Sequence, residues 1–163
     1  MKKSTYIKMT DKINGNTMLK NIIMISDAVL TKAVYLIYPV FLVILFTGKD
    51  PGLLRAVLVP GVSFLLLSAF RKIYNSPRPY EVFDLPPVIN KKTKGRSMPS
   101  RHVFSIFVIG VTIYHFSKAA GIAVGAAGII MAAVRIAGGV HFPKDVAAGA
   151  AFGIIAGFAG FMI

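Results

Sequence analysis

The sequence predicts an all-α fold: one integral membrane helical bundle of about five transmembrane helices, with an N-terminal interfacial helix. Three observations carry that expectation. Hydrophobic residues make up 55% of the 163 and charged residues only 15%, with a mean hydropathy of +0.68, which is too apolar for a soluble domain of this size. The apolar residues gather into five runs, at residues 29–47, 53–70, 103–117, 119–134 and 146–163, each near the lower limit of about 17 to 25 residues for a spanning helix. The bases behind the formal net charge of +13 collect between these runs, where they suit anionic head groups. They lack the amphipathic surface and aromatic interleaving of a nucleic-acid binder, so no nucleic acid is expected.

The elements follow in chain order within a single domain spanning residues 1–163. Residues 1–28 read as a basic tail and an interfacial helix: between 18 and 28, Leu19, Ile22, Ile23, Met24 and Ile25 alternate with Lys20, Asn21, Ser26 and Asp27, too polar for a sixth span. Met1 to Lys20 has no apolar core followed by a small-residue cleavage site, so it is not read as a secretory signal. Pro39 and Pro60 lie inside the first two runs and are expected to kink helices that a bundle can hold. Residues 71–101 form the one long polar segment, with prolines at 77, 79, 86, 87 and 99 that preclude a continuous helix and suggest a loop at the mouth of a site. Runs four and five are rich in Gly and Ala; Gly121 and Gly125, and Gly149, Gly153 and Gly157, recur every four residues as smooth stripes for close helix contact. The absence of cysteine excludes disulfides, thiolate catalysis and cysteine-based metal sites.

Alternating direction through five spans brings distant residues together. The end of the second span, the start of the third, the end of the fourth and the start of the fifth must share one membrane face. Those places hold Arg71, Lys72 and Arg78; Ser100, Arg101 and His102; Arg135; and His141 with Asp145. The opposite face has only Lys49, Asp50, Arg55, His115 and Lys118.

Each residue type in this set has a chemical use. His141 precedes Phe142-Pro143, and proline favours the first helical position, so His141 is expected just outside the last helix with Asp145 in its first turn. Asp145 can then fix the imidazole tautomer and leave the other nitrogen free as a nucleophile; alone, it would only complement the helix dipole. Pro99-Ser100-Arg101-His102 opens the third span, where unpaired amides attract an anion and His102 is placed to protonate a leaving oxygen. Arg71, Arg78 and Arg135 are permanent, planar donors suited to phosphate. His115 has no such company and reads as structural.

These residues resemble the motifs of the type 2 phosphatidic acid phosphatase superfamily: a lysine, six residues and Arg-Pro; Pro-Ser-Gly-His; and Ser-Arg, five residues, His, three residues, Asp. Here they stand as Arg71 with Arg78-Pro79, as Pro99-Ser100-Arg101-His102, and as Val134-Arg135 with His141 and Asp145. The resemblance implies an integral membrane lipid phosphatase in which His141 forms a phosphohistidine, Asp145 orients it, His102 is the general acid, and Arg71, Arg78, Ser100 and Arg135 hold the phosphate. It implies no metal or other cofactor. Arg71 replaces the family's lysine, with Lys72 one position out of register; Arg101 replaces its glycine and Val134 its serine. Lys72 and Arg101 therefore join the expected phosphate-binding set as extra cations.

The expected function is hydrolysis of a lipid phosphate or diphosphate, of the phosphatidic acid, phosphatidylglycerophosphate or undecaprenyl diphosphate class, at a multi-pass site in the cell membrane. A non-catalytic lipid-phosphate binder is the alternative. Five spans leave no water-soluble body for a haloperoxidase, and the oligomeric state is open. The loop and the N-terminus share a side, and their combined lysines and arginines would place it in the cytoplasm by the positive-inside rule. The resemblance implies the extracytoplasmic face, which is the side expected here.

Overall fold

The computed structural model describes residues 1–162, and all regular structure among them is helical. The elements are α1 (Lys3–Asn14), α2 (Thr17–Thr47), α3 (Leu53–Tyr74), α4 (Pro79–Phe83), α5 (Arg101–Phe116), α6 (Lys118–Ala137) and α7 (Pro143–Met162). Helices α2, α3, α6 and α7 are long and apolar enough to cross a membrane, and α5 is a shorter apolar helix. These five match the five apolar runs, and the chain is a multi-pass membrane protein.

The N-terminal region differs from its expected form. Residues 18–28 do not make a separate interfacial helix; they are the first turns of α2, which runs unbroken for 31 residues. The cause is local: the Asn16 side chain accepts from the Leu19 amide at 3.0 Å, and no Gly or Pro interrupts the chain before Pro39. At ~1.5 Å per residue the helix is ~46 Å long, longer than a hydrocarbon core of about 30 Å. The preceding residues, expected as a basic tail, form α1. That helix buries Tyr6, Thr10 and Ile13 and leaves Lys2, Lys3, Lys8 and Lys12 exposed.

Helix α5 is the hub. Nine of its 16 residues are buried, and it packs along both α6 and α7. The expected glycine stripe on α7 is what allows this: a Cβ on Gly149 would lie 2.7 Å from the Ser100 carbonyl oxygen, on Gly153 2.7 Å from that of Phe104, and on Gly157 2.6 Å from Val111 Cβ. On α6 the expectation holds at Gly121, whose Cβ would collide with Tyr114, but Gly125 faces open space. Further core contacts join Phe104, Val108 and Ile109 to Leu67 of α3, and Val103 and Ile106 to Met131 and Val146.

The polar segment 71–101 is folded rather than loose. Asn75 ends α3 in the left-handed region (φ 40°), and Pro79 opens α4 with Glu81 in its first turn. The Arg78 amide donates to Glu81 Oε2 at 2.8 Å, and the Gly95 amide donates to the same carboxylate at 2.8 and 3.0 Å. Glu81 thereby ties the far side of the loop to α4. Near residue 89 the loop is tied a second time, by the Ile89 amide to the Gly138 carbonyl at 3.1 Å.

Candidate active site

The helix ends converge at one end of the bundle, as the alternating topology requires. Gly138 caps α6, Gly139 turns the chain at φ 72°, and the chain delivers His141 just ahead of α7, 1% exposed. Asp145 sits in the first turn of α7 and is fully buried. Its Oδ2 accepts from the Phe142 amide at 2.9 Å and from Ser97 Oγ at 2.5 Å. The carboxylate therefore closes the helix N-terminus and faces the histidine at once.

Asp145 does not hold His141 alone. Its Oδ2 stands 3.7 Å from His141 Nδ1, beyond hydrogen-bond reach, and the Ser97 hydroxyl fills the interval, 3.3 Å from Nδ1. Ser97 is fully buried, and sequence reading missed it because a serine in a polar loop, far from either partner in sequence, carries no spacing signal. With Nδ1 turned to Ser97 and Asp145, the tautomer protonated there leaves Nε2 bare. Burial pushes the imidazole pKa down to about 4; Arg78 acts in the same direction, and the Asp145 carboxylate opposes it. His141 is thus neutral at neutral pH.

The Ser100 amide donates to the Asp145 backbone carbonyl at 2.8 Å, which locks the start of α5 to the start of α7. The Ser100 hydroxyl is buried with no partner among the described residues, an orphan polar atom of the kind that normally finds a ligand or water. The next residues open α5, whose first intrahelical bond is Phe104 to Ser100, so the amides before it are free to face an anion. His102, half-buried in this first turn, lines two cavities at once.

The arginines divide their donors. Arg78 gives Nε to the Gly95 carbonyl at 3.1 Å and Nη1 to the Val140 carbonyl at 3.2 Å, leaving Nη2 unassigned. Arg135 lies with Nε 3.0 Å from Asp27 Oδ1, an ion pair whose N–H is not aligned on the oxygen, and with Nη2 3.5 Å from Thr31 Oγ1. Arg71 is buried and turned to the carbonyls of Arg96, Ser97 and Pro99. It holds the Ser97 loop rather than presenting its guanidinium to the centre.

Of the expected phosphate-binding residues, Lys72 is not brought to the cluster and Arg101 stands at its edge. Lys72 is exposed, because one residue along a helix turns the side chain by about 100° away from the face that carries Arg71. Arg101 is exposed too, its guanidinium 5.8 Å from the Phe64 ring centroid, since the first turn of α5 points it at α3. Two residues outside the expected set do join. Asp27 and Lys91 line the same cavity as His102 and Arg135. Asp27 was hidden in a stretch read as interfacial, and Lys91 among four neighbouring bases.

The cavities differ in character. One, of about 500 Å³, is an apolar groove between α2, α3 and α5 that ends at Arg101 and His102. The other, of about 450 Å³, is polar and lies between α2 and the loop around residues 89–93. They meet at Thr31 and His102. His115 stands apart, stacked on Phe161 with ring centroids 4.1 Å apart, in keeping with a structural residue.

The model of the PAP2 superfamily matches residues 52–163. The chain is 30% identical over 146 residues to the bacitracin transport permease protein BcrC of Bacillus licheniformis, covering 86% of this chain and 72% of that protein. In fold it is similar to LpxE of Aquifex aeolicus, with a TM-score of 0.77 at 22% identity over 98% of this chain and 94% of that one. It is also similar to the first transmembrane PAP2-type phosphatidylglycerolphosphate phosphatase from Bacillus subtilis, with a TM-score of 0.74 at 20% identity, covering 98% and 84% of the two chains.

Proposed function

The chain belongs to the PAP2 superfamily, and from that premise we propose that it is a metal-independent membrane lipid phosphatase acting through a phosphohistidine. The substrate is a lipid phosphate or diphosphate of the phosphatidic acid, phosphatidylglycerophosphate or undecaprenyl diphosphate class. One observation carries the reading: a buried His141 whose Nδ1 side is taken by Ser97 and Asp145, with arginine donors and an orphan Ser100 hydroxyl close by.

His141 Nε2 attacks phosphorus, and the bond to the leaving oxygen breaks. His102 gives that oxygen its proton and then takes one from the water that cleaves the phosphohistidine. Asp145, through Ser97, stabilises the charge that develops on the ring. Arg78, Arg135 and Ser100 meet the equatorial oxygens of the five-coordinate phosphorus, work for which permanent cations suffice. Arg71 acts through the loop it holds, Arg101 stands at the mouth of the apolar groove, and the lipid tail occupies that groove.

The site lies on the extracytoplasmic face. That side runs against the charge count, even after the arginines of the site are set aside. Thr5→Cys and Thr93→Cys, labelled in intact cells with an impermeant thiol reagent, should both react; protection of both would reverse the orientation. For the chemistry, purified protein in detergent with EDTA should release phosphate from such lipids, and brief exposure to radiolabelled substrate should leave acid-labile label on the protein. His141→Ala should lose both. Undiminished phosphate release by that variant would sink the mechanism.

A further inference from the structure

The cavity beside His102 carries more cations than a one-phosphate reaction uses: Arg135 and His102 already have tasks there, and Lys32, Lys91 and Lys92 do not. It is lined by Lys32, Lys91, Lys92 and Arg135, with Asp27 the one carboxylate. Asp27 is spent on Arg135, and no carboxylate lies within ion-pair distance of Lys91 among the described residues. The loop segment that carries Lys91 is anchored at both ends. Ile89 is bonded to Gly138 on one side of it and packs so closely there that a Cβ on Gly138 would collide with Ile89 Cδ1; Gly95 is bonded to Glu81 on the other side. A half-buried ammonium kept near other cations without a counter-ion is costly, and burial with Arg78 and Arg135 pushes its pKa down to about 8. An anion in the cavity would relieve that cost.

His102 decides which anion. It lines this cavity as well as the apolar groove, so whatever is bonded to the leaving oxygen emerges where the two meet. With a phosphate monoester, the leaving oxygen is attached directly to carbon, and the transferred phosphoryl on Arg78, Arg135 and Ser100 is the one charged group present. With a diphosphate, the leaving oxygen belongs to a second phosphoryl group.

Resting on the phosphatase reading above, we propose that the cavity between α2 and the 89–93 loop is a subsite for the leaving phosphate of a lipid diphosphate, with Lys91 its principal cation. In the step it serves, the terminal phosphorus bonds to His141 Nε2 and its bond to the bridging oxygen breaks. The electron pair stays on that oxygen, which accepts a proton from His102, and the product is the lipid monophosphate. Lys91 neutralises charge that grows on this leaving group, so its effect falls on the rate as well as on binding.

The test uses the full-length protein in detergent, with farnesyl diphosphate and farnesyl monophosphate as substrates of identical tail. Wild type should favour the diphosphate. Lys91→Met keeps the aliphatic stem, and it should cut the diphosphate-to-monophosphate ratio of kcat/KM by about tenfold or more, the usual scale for removing a charged hydrogen bond. Lys91→Arg should restore most of it. An equal loss on both substrates, or no loss on either, overturns the subsite; if wild type is active and His141→Ala is not, the phosphatase reading survives that result. Phosphate release from neither substrate by wild type would remove both.

Discussion

Ser97 is the residue on which the catalytic arrangement turns, since His141 and Asp145 stand 3.7 Å apart and its hydroxyl touches both. Ser97→Ala removes the link without altering either partner. The ring should lose its fixed orientation while phosphate binding is kept, so kcat should fall about tenfold with KM little changed, on the scale of a buried hydrogen bond to a charged group. A change confined to KM would mean that Ser97 serves binding instead. The same buried pocket sets the pH response. Protonation removes the proposed nucleophile, and burial lowers the His141 pKa from 6.5 to about 4, so the acidic limb of kcat/KM should lie near pH 4. An acidic limb near 6.5 would show that His141 is solvated in the free enzyme. That His141, Asp145 and His102 stand at helix starts was legible from their local spacing. Ser97, Asp27 and Lys91 were not, because each reaches the site by long-range folding that leaves no periodic trace.

At the scale of elements, the packing of α5 on α7 sets the start of the helix that carries His102 against the start of the helix that follows His141. Gly149 carries that packing at the site: a Cβ there would press to 2.7 Å against the Ser100 carbonyl oxygen, a backbone atom that cannot swing aside. Gly149→Ala should therefore part the two helix starts and lower thermal stability in detergent by about 1–3 kcal/mol, as overpacking does, with activity falling in step. Gly125→Ala is the matched control, since its Cβ would meet nothing within 4 Å and alanine is the better helix former by up to ~1 kcal/mol. It should be neutral or mildly stabilising; equal damage from the two would mean that the stripe is not what joins the helices. Sequence spacing placed both glycines on stripes, yet only the side chains opposite distinguish them. Helix α1 shows the same limit. It buries Tyr6 against Gly139, with the hydroxyl 3.3 Å from the carbonyl, and so buttresses the turn that carries His141, although the segment reads in sequence as a basic tail.

For the molecule as a whole, the helices combine a membrane-facing groove with a polar chamber, and His102 stands where they meet. The five hydrophobic helices and their convergence on one face were readable from hydropathy and alternation alone. The groove was not, because it depends on how far α2 and α3 stand apart, which no pattern along either helix encodes. If the groove holds the lipid tail, its filling should penalise substrates according to tail length. Gly61 allows that test: it lines the groove, and a Cβ there would meet no atom within 4 Å, so a larger side chain enters the empty volume without displacing a neighbour. Gly61→Leu should raise KM about tenfold for a long-chain lipid phosphate, the scale expected when about two methylenes of the tail are kept out of the groove at about 0.8 kcal/mol each, and far less for a short-chain analogue hydrolysed at the same centre. An equal rise for both would place the effect in the catalytic geometry. A rise for neither would mean that the tail enters between other helices, and that the groove between α2 and α3 is a packing defect of the bundle.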